Sequence, residues 1–197
     1  MSSPSRVVRR VIVSCLATTV SLTASASIAA ADEPSPLARL VTHAAERLQT
    51  ADPVAASKFH TGGAVDDPAR EDAVIDAVTA AATAHQVDAE FVHRVFRDQI
   101  DATDSLEHSR FAQWKIDPAS VPRDAPDLSS LRNDIDRLNE AMVEDMADAG
   151  DALHAASCPS DLAKAEKAAV AAKQLDELYA RALHFAVHDY CQGGPLR

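Results

Sequence analysis

The chain has 197 residues, 47% of them hydrophobic and only 4% aromatic, with 5 glycines and 10 prolines. That length suits one domain with a real core. A formal charge of −11 leaves no nucleic-acid partner expected, and the absence of G-x-G-x-x-G, P-loop, H-E-x-x-H and C-x-x-C patterns signals no nucleotide or metal site.

The first 31 residues read as a signal peptide. "SRVVRR" supplies a positive start, and "VIVSCLATTVSLTA" is an apolar core too short to span a membrane comfortably. "ASIAAADEP" then places small residues at Ala29 and Ala31, so cleavage is expected after Ala31. An uncleaved anchor is the alternative. The removed piece contains Arg6, Arg9 and Arg10 but no acid, so residues 32–197 form a more acidic mature domain, exported to the periplasm or fully secreted, with no membrane association.

Alanine-rich stretches with few β-branched runs favour helix throughout the remainder. Residues 35–60 place Leu37, Leu40, Ala44, Leu48, Ala51 and Ala55 on one stripe. Pro53 lies inside that run and Asp52 precedes it as a candidate N-cap, so a kink or restart is expected there. "HTGGAVDDP" at 60–68 is a loop, helix resumes from about Pro68 to His85, and Asp88 caps a further helix over about 89–115. Residues 116–130 form a proline-rich connector, after which Ser129 or Ser130 is the expected cap of a helix over 131–155. Phe91, Phe96, Phe111 and Trp114 read as core. No strand pattern survives. The predicted class is all-α, a single domain of about six helices.

Cys15 leaves with the signal peptide, so Cys158 and Cys191 remain as an even pair in an oxidising compartment. A disulfide is the default there, with two free thiols as the alternative. Residues 160–190 could form one continuous helix of about 45 Å, but bridged Cα atoms lie within about 7 Å of each other. Both cannot hold, so a helical hairpin with a break near 172–176 is predicted. His184 and His188 stand at i, i+4, a weak metal signal, and no metal is expected.

The stretch "AERLQTADPVAASKF" puts Arg47 and Lys58 on the apolar stripe. They are eleven residues apart, which at about 100° per residue returns to nearly the same face. Arg70 opens a helix, where free N–H groups already favour anions, and Arg132 opens another. Thr103 and Glu107, at i, i+4, face one way. Two readings stand on pattern alone. Arg47 and Lys58 either snorkel outward or pair with core acids, or the inward cations hold an anion.

The order "AERL…ADPVAASKF…DxxRE…FVHRVFRDQIDATDSLEHSRFAQWK…DLSSLR", over about residues 37–135, resembles the secreted subclass of the AroQ-type, all-α chorismate mutases. The paired cysteines suit the C-terminal extension of that subclass, here about 136–197. The resemblance implies conversion of chorismate to prephenate without a cofactor. It also implies a homodimer whose site is completed within each chain, with Arg47 and Arg132 as carboxylate clamps and Lys58 reaching a carboxylate and the ether oxygen. Arg70 would be a further site arginine, Thr103 a carboxylate-binding hydroxyl, and Glu107 the second ether-oxygen donor. Glu71 would hold the ring hydroxyl with help from the backbone at Asp67. Relatives can carry glutamine four residues after the motif arginine, where this chain has Val74. An isochorismate-pyruvate lyase on the same fold and a non-catalytic helical interaction protein are the alternatives. No effector-binding domain is legible, so feedback by aromatic amino acids is not expected.

Overall fold

The computed structural model describes residues 34–192, which contain α-helix, one 3-10 turn and no strand. The expected signal peptide and its cleavage point lie outside the described residues. The helices are α1 (Pro36–Gln49), α2 (Ala51–Thr61), α3 (Pro68–Ala84), α4 (Ala89–Ile116), α5 (Leu128–Asp148), α6 (Gly150–His154), α7 (Cys158–Ala172) and α8 (Glu177–Val187). There are more segments than the six or so expected because the 35–60 run is divided and α6 is a five-residue piece.

The division between α1 and α2 falls at Thr50 rather than at an Asp52 cap. Proline has no N–H to give to the carbonyl four residues back, so the ladder is already interrupted at residue 49. Thr50 closes α1 instead, its hydroxyl donating to Arg47 O at 2.7 Å. Asp52, freed from capping, accepts Arg110 Nε at 2.6 Å, Arg110 Nη2 at 3.0 Å and the Tyr179 hydroxyl at 2.7 Å. The cap of α5 also differs from the expectation. Asp127 occupies it, accepting the Ser130 N–H at 3.0 Å and the Ser129 hydroxyl. Its carboxylate reaches the free N–H three residues on, and Ser129 and Ser130 become the first turn. Asp67 and Asp88 cap α3 and α4 in the same way.

Helix α1 is the hub, packing on α5, α7 and α8, while α4 packs on α2, α3 and α8. Leu40, Val41 and Leu48 from α1 meet Phe91, Val92 and Phe96 from α4, Met142 and Met146 from α5, and Leu183 and Tyr190 from the C-terminal part. Each large apolar side chain buried there contributes about 1.5–3 kcal/mol relative to exposure. Trp114 belongs to a smaller cluster with Ala55 and Ala56, against which Phe59 and Phe111 pack.

The C-terminal hairpin turns where it was predicted. Helix α7 ends at Ala172, Gln174 takes φ 52°, and Asp176 caps α8 by accepting the Tyr179 N–H at 2.9 Å. The turn lets Cys158 and Cys191 bond with a Cα–Cα distance of 5.7 Å. Beside it, the Gln192 N–H donates to Leu153 O at 2.9 Å. No helix among the described residues is long and apolar enough to cross a membrane.

Candidate active site

Both inward cations lead to one cleft. Arg47, in the last turn of α1, is 4% exposed. Its Nε donates to Asn139 Oδ1 at 2.7 Å, and its Nη1 donates to Thr103 Oγ1 at 3.1 Å and to Gln99 O at 3.4 Å. The guanidinium lies 6.0 Å from the Phe96 ring centre. Burial pushes its pKa down to about 10, with Asp104 opposing, so it is still cationic at neutral pH. A fork held this way keeps its orientation at little further entropic cost when it meets a carboxylate.

Lys58, in the last turn of α2, is buried. Its Nζ donates to Val65 O at 2.6 Å and to Glu107 Oε2 at 2.8 Å. The loop after α2 makes the first contact possible. Gly62 takes the left-handed φ of 73° that glycine adopts without penalty, and the chain folds back so that the Gly63 N–H reaches Lys58 O at 2.8 Å.

Glu107 sits one turn after Thr103 on α4 and is 2% exposed. Burial raises its pKa from 4.5 to about 7; Lys58 opposes the rise and Asp104 adds to it. Asp104 lies between them in sequence and also lines the cleft. Its pKa is raised from 3.8 to about 6, first by burial and then by Glu71, with Lys58 opposing. The cleft therefore contains two carboxyl groups whose protonation changes near neutrality.

The remaining expected residues line the same cleft: Asp67, Arg70, Glu71, Val74 and Arg132. Asp67, Arg70, Glu71 and Arg132 stand nearer solvent than Arg47 and Lys58, whereas Val74 is buried. Arg132 Nη2 donates to Asp67 Oδ2 at 2.5 Å, and Arg70 Nη2 donates to Asp136 Oδ1 at 2.5 Å. Glu71 Oε2 accepts Arg97 Nη1 at 3.4 Å. Thus the seven side chains singled out as site candidates converge, although they come from five helices. The cleft has a cavity volume of about 70 Å³ and opens to solvent, with Val54, Val65, Ile100, Leu128 and Ile135 supplying apolar surface.

Asp104, Asn139 and Gln99 were not foreseen. Asp104 carried one legible signal, its i, i+3 relation to Glu107. Asn139 and Gln99 carried none, because their role is to meet Arg47 from α5 and α4 across the core. His184 and His188 do not act as a pair: His184 Nδ1 is 3.0 Å from Glu166, and His188 Nδ1 is 2.6 Å from Phe185 O.

The profile of the chorismate mutase type II family matches residues 38–108, the segment carrying Arg47, Lys58, Arg70, Thr103 and Glu107. A secreted chorismate mutase of Mycolicibacterium smegmatis is 56% identical over 164 residues, covering 83% of this chain and 91% of that protein. The chain belongs to the secreted chorismate mutases. A secreted chorismate mutase of Mycobacterium tuberculosis is 43% identical, covering 85% of this chain and 84% of that protein. The crystal structure of a chorismate mutase from Burkholderia thailandensis superposes with a TM-score of 0.75 at 33% identity, covering 80% of this chain and all of that one. Membership in an exported chorismate mutase family accounts for the disulfide, since bonds of this kind form and persist outside the cytosol. The family's all-α fold also accounts for the cleft, built where α1, α2, α3, α4 and α5 face one another. Val74 is buried in its wall and presents methyl groups.

Proposed function

We propose that this cleft converts chorismate to prephenate by folding the dianion into a chair and stabilising negative charge on the ether oxygen as its C–O bond breaks. A new C–C bond forms in the same pericyclic step, so neither a nucleophile nor a proton acceptor is required. Catalysis then comes from orientation and preorganised electrostatics. The carrying observation is the buried Lys58–Glu107 pair, 2.8 Å apart, with Glu107 able to hold a proton near neutral pH. Lys58 offers an ammonium, and protonated Glu107 offers an O–H donor where an ionised carboxylate could only accept. Together they are two donors for one developing oxyanion.

Arg47 and Arg132 are the proposed clamps for the two carboxylates, with Arg70 as a third guanidinium and the Thr103 hydroxyl as a further carboxylate contact. Planar guanidinium forks suit carboxylates. Glu71, helped by the backbone at Asp67, accepts the ring hydroxyl. The Arg132–Asp67 and Arg70–Asp136 pairs are partly exposed, so an entering carboxylate competes with acids that water can resolvate. Residues 32–197 constitute the proposed mature domain, with residues 1–31 removed on export. We also propose a homodimer in which each chain completes its own cleft. All seven side chains come from one chain, which supports that arrangement.

Purified mature protein incubated with chorismate should form prephenate with no added metal or cofactor, measured by loss of chorismate absorbance. Recovery of unchanged chorismate from folded protein would overturn the proposal, and release of pyruvate would reassign the cleft to a lyase. Sedimentation velocity giving a monomer would remove the dimer.

A further inference from the structure

Arg97 does not line the cleft, yet it touches one of the side chains that does. It lies on α4, two turns before Asp104, and reaches across the α3–α4 packing to Glu71, Nη1 to Oε2 at 3.4 Å. Both side chains are only partly exposed, 33% for Arg97 and 21% for Glu71, so the pair is less screened than a surface pair. Glu71 has a like-charged neighbour on its cleft side, since its proximity raises the Asp104 pKa. Two carboxyl groups thus share one wall of a cleft built for a dianion. Glu71 occupies the first turn of α3, with Asp67 already satisfying the helix start through the Arg70 N–H at 3.2 Å. The Glu71 carboxylate is therefore free of capping duty. Among the described residues Arg97 is its one salt-bridge partner.

We propose that Arg97 is a positioning residue for Glu71, holding its carboxylate in the orientation in which one oxygen accepts the ring hydroxyl of the substrate. The inference rests on the reading of Glu71 given above. One oxygen, Oε2, faces Arg97, which leaves Oε1 as the acceptor on a side chain that lines the cleft. Without the guanidinium, repulsion from Asp104 turns the carboxylate toward solvent and the hydroxyl loses its acceptor. Arg97 itself touches neither substrate nor the reacting atoms. Its loss removes binding that is equal in the ground and transition states, which raises KM and spares kcat.

The test is steady-state kinetics on the mature protein, comparing wild type with Arg97→Met, Arg97→Lys, Glu71→Ala and the Arg97→Met/Glu71→Ala double variant. Arg97→Met keeps the apolar stem, and circular dichroism melting checks that each variant is folded. Arg97→Met should raise KM about two- to fivefold, the range of a partly exposed ion pair, with kcat within about twofold. Arg97→Lys should recover most of the loss. The double variant should match Glu71→Ala alone, because Arg97 acts only through Glu71. If Glu71→Ala raises KM while Arg97→Met leaves it unchanged, or if the two effects multiply, Arg97 is not the positioning residue. If Glu71→Ala itself leaves KM unchanged, the hydroxyl reading of Glu71 fails and takes the Arg97 proposal with it. A fall in kcat with KM unchanged in Arg97→Met would likewise overturn it.

Discussion

Glu107 makes the pH dependence of this enzyme calculable. Its carboxyl is 2% exposed and its pKa is raised from 4.5 to about 7, chiefly by burial. At about 1.4 kcal/mol per tenfold change in proton affinity, that rise corresponds to about 3 kcal/mol disfavouring the carboxylate. In the role proposed for Glu107 the productive form is the protonated one, because only a protonated carboxyl can donate to the ether oxygen. With a titration centred on 7, the protonated fraction falls about tenfold from pH 6 to pH 8. Since kcat/KM reports the free enzyme, it should fall about tenfold over that interval in wild type. Asp104, raised to about 6, acts in the same direction, since its ionisation adds negative charge where a dianion binds. Glu107→Gln supplies a permanent donor of nearly the same shape. It should retain activity and lose the fall near pH 7, keeping only a shallower fall near pH 6 from Asp104. Glu107→Ala should be poor at every pH. The assay is chorismate consumption at constant ionic strength from pH 5 to 9. A wild-type kcat/KM that rises across pH 6 to 8 would refute the reasoning, as would a folded but inactive Glu107→Gln.

The same group makes a stability prediction. Between about 4.5 and about 7 the unfolded chain has lost the Glu107 proton while the folded chain retains it, so the unfolded state binds fewer protons and stability falls as pH rises. Melting curves should show a wild-type midpoint that declines relative to Glu107→Gln through this window, and parallel curves would sink the idea. Lys58→Ala removes the ammonium next to Glu107 and should lower kcat by about 10²–10³, the cost of one oxyanion donor; near-normal turnover by a folded variant would reassign Lys58. Reducing the Cys158–Cys191 bond opens a loop whose ends are 33 residues apart and should cost about 3–4 kcal/mol in the chain-entropy picture. Calorimetry should then record a midpoint lower by about 7–15 °C, while the helices that bear the cleft stay assembled at moderate temperature. An unchanged midpoint would mean the hairpin is held by packing alone.

Sequence by itself determined the helical class, because alanine-rich runs broken by Asp-Pro, Gly-Gly and proline clusters allow little else. It also determined the place of the hairpin turn. A bridge between residues 158 and 191 is incompatible with one straight helix, and the break at 173–176 follows from that constraint before any packing is considered. Part of the candidate cleft was legible because charge on an apolar stripe is rare: Arg47 and Lys58 stand out as residues that need a reason to be inside. Pattern alone left an anion site and core pairing both open, and the roles of Glu107, Thr103, Arg70, Glu71 and Arg132 came from the resemblance to the chorismate mutases. Helix starts were less legible. Asp127 and Ser129 are both good caps, and which one wins depends on which N–H each can reach. The restart falls at Thr50 because the Pro53 ring nitrogen has no N–H for the residue 49 carbonyl, and Asp52, freed from capping, turns to Arg110 and Tyr179, which lie 58 and 127 residues away in the chain. Only the tertiary structure could bring Asn139 and Gln99 to the buried guanidinium of Arg47. They carry no local pattern, and their effect exists only once α1, α4 and α5 share a core. The proton affinity of Glu107 was undecidable for the same kind of reason. Burial raises it and Lys58 lowers it, and the sign of the sum depends on how completely the fold removes water from that one carboxyl group.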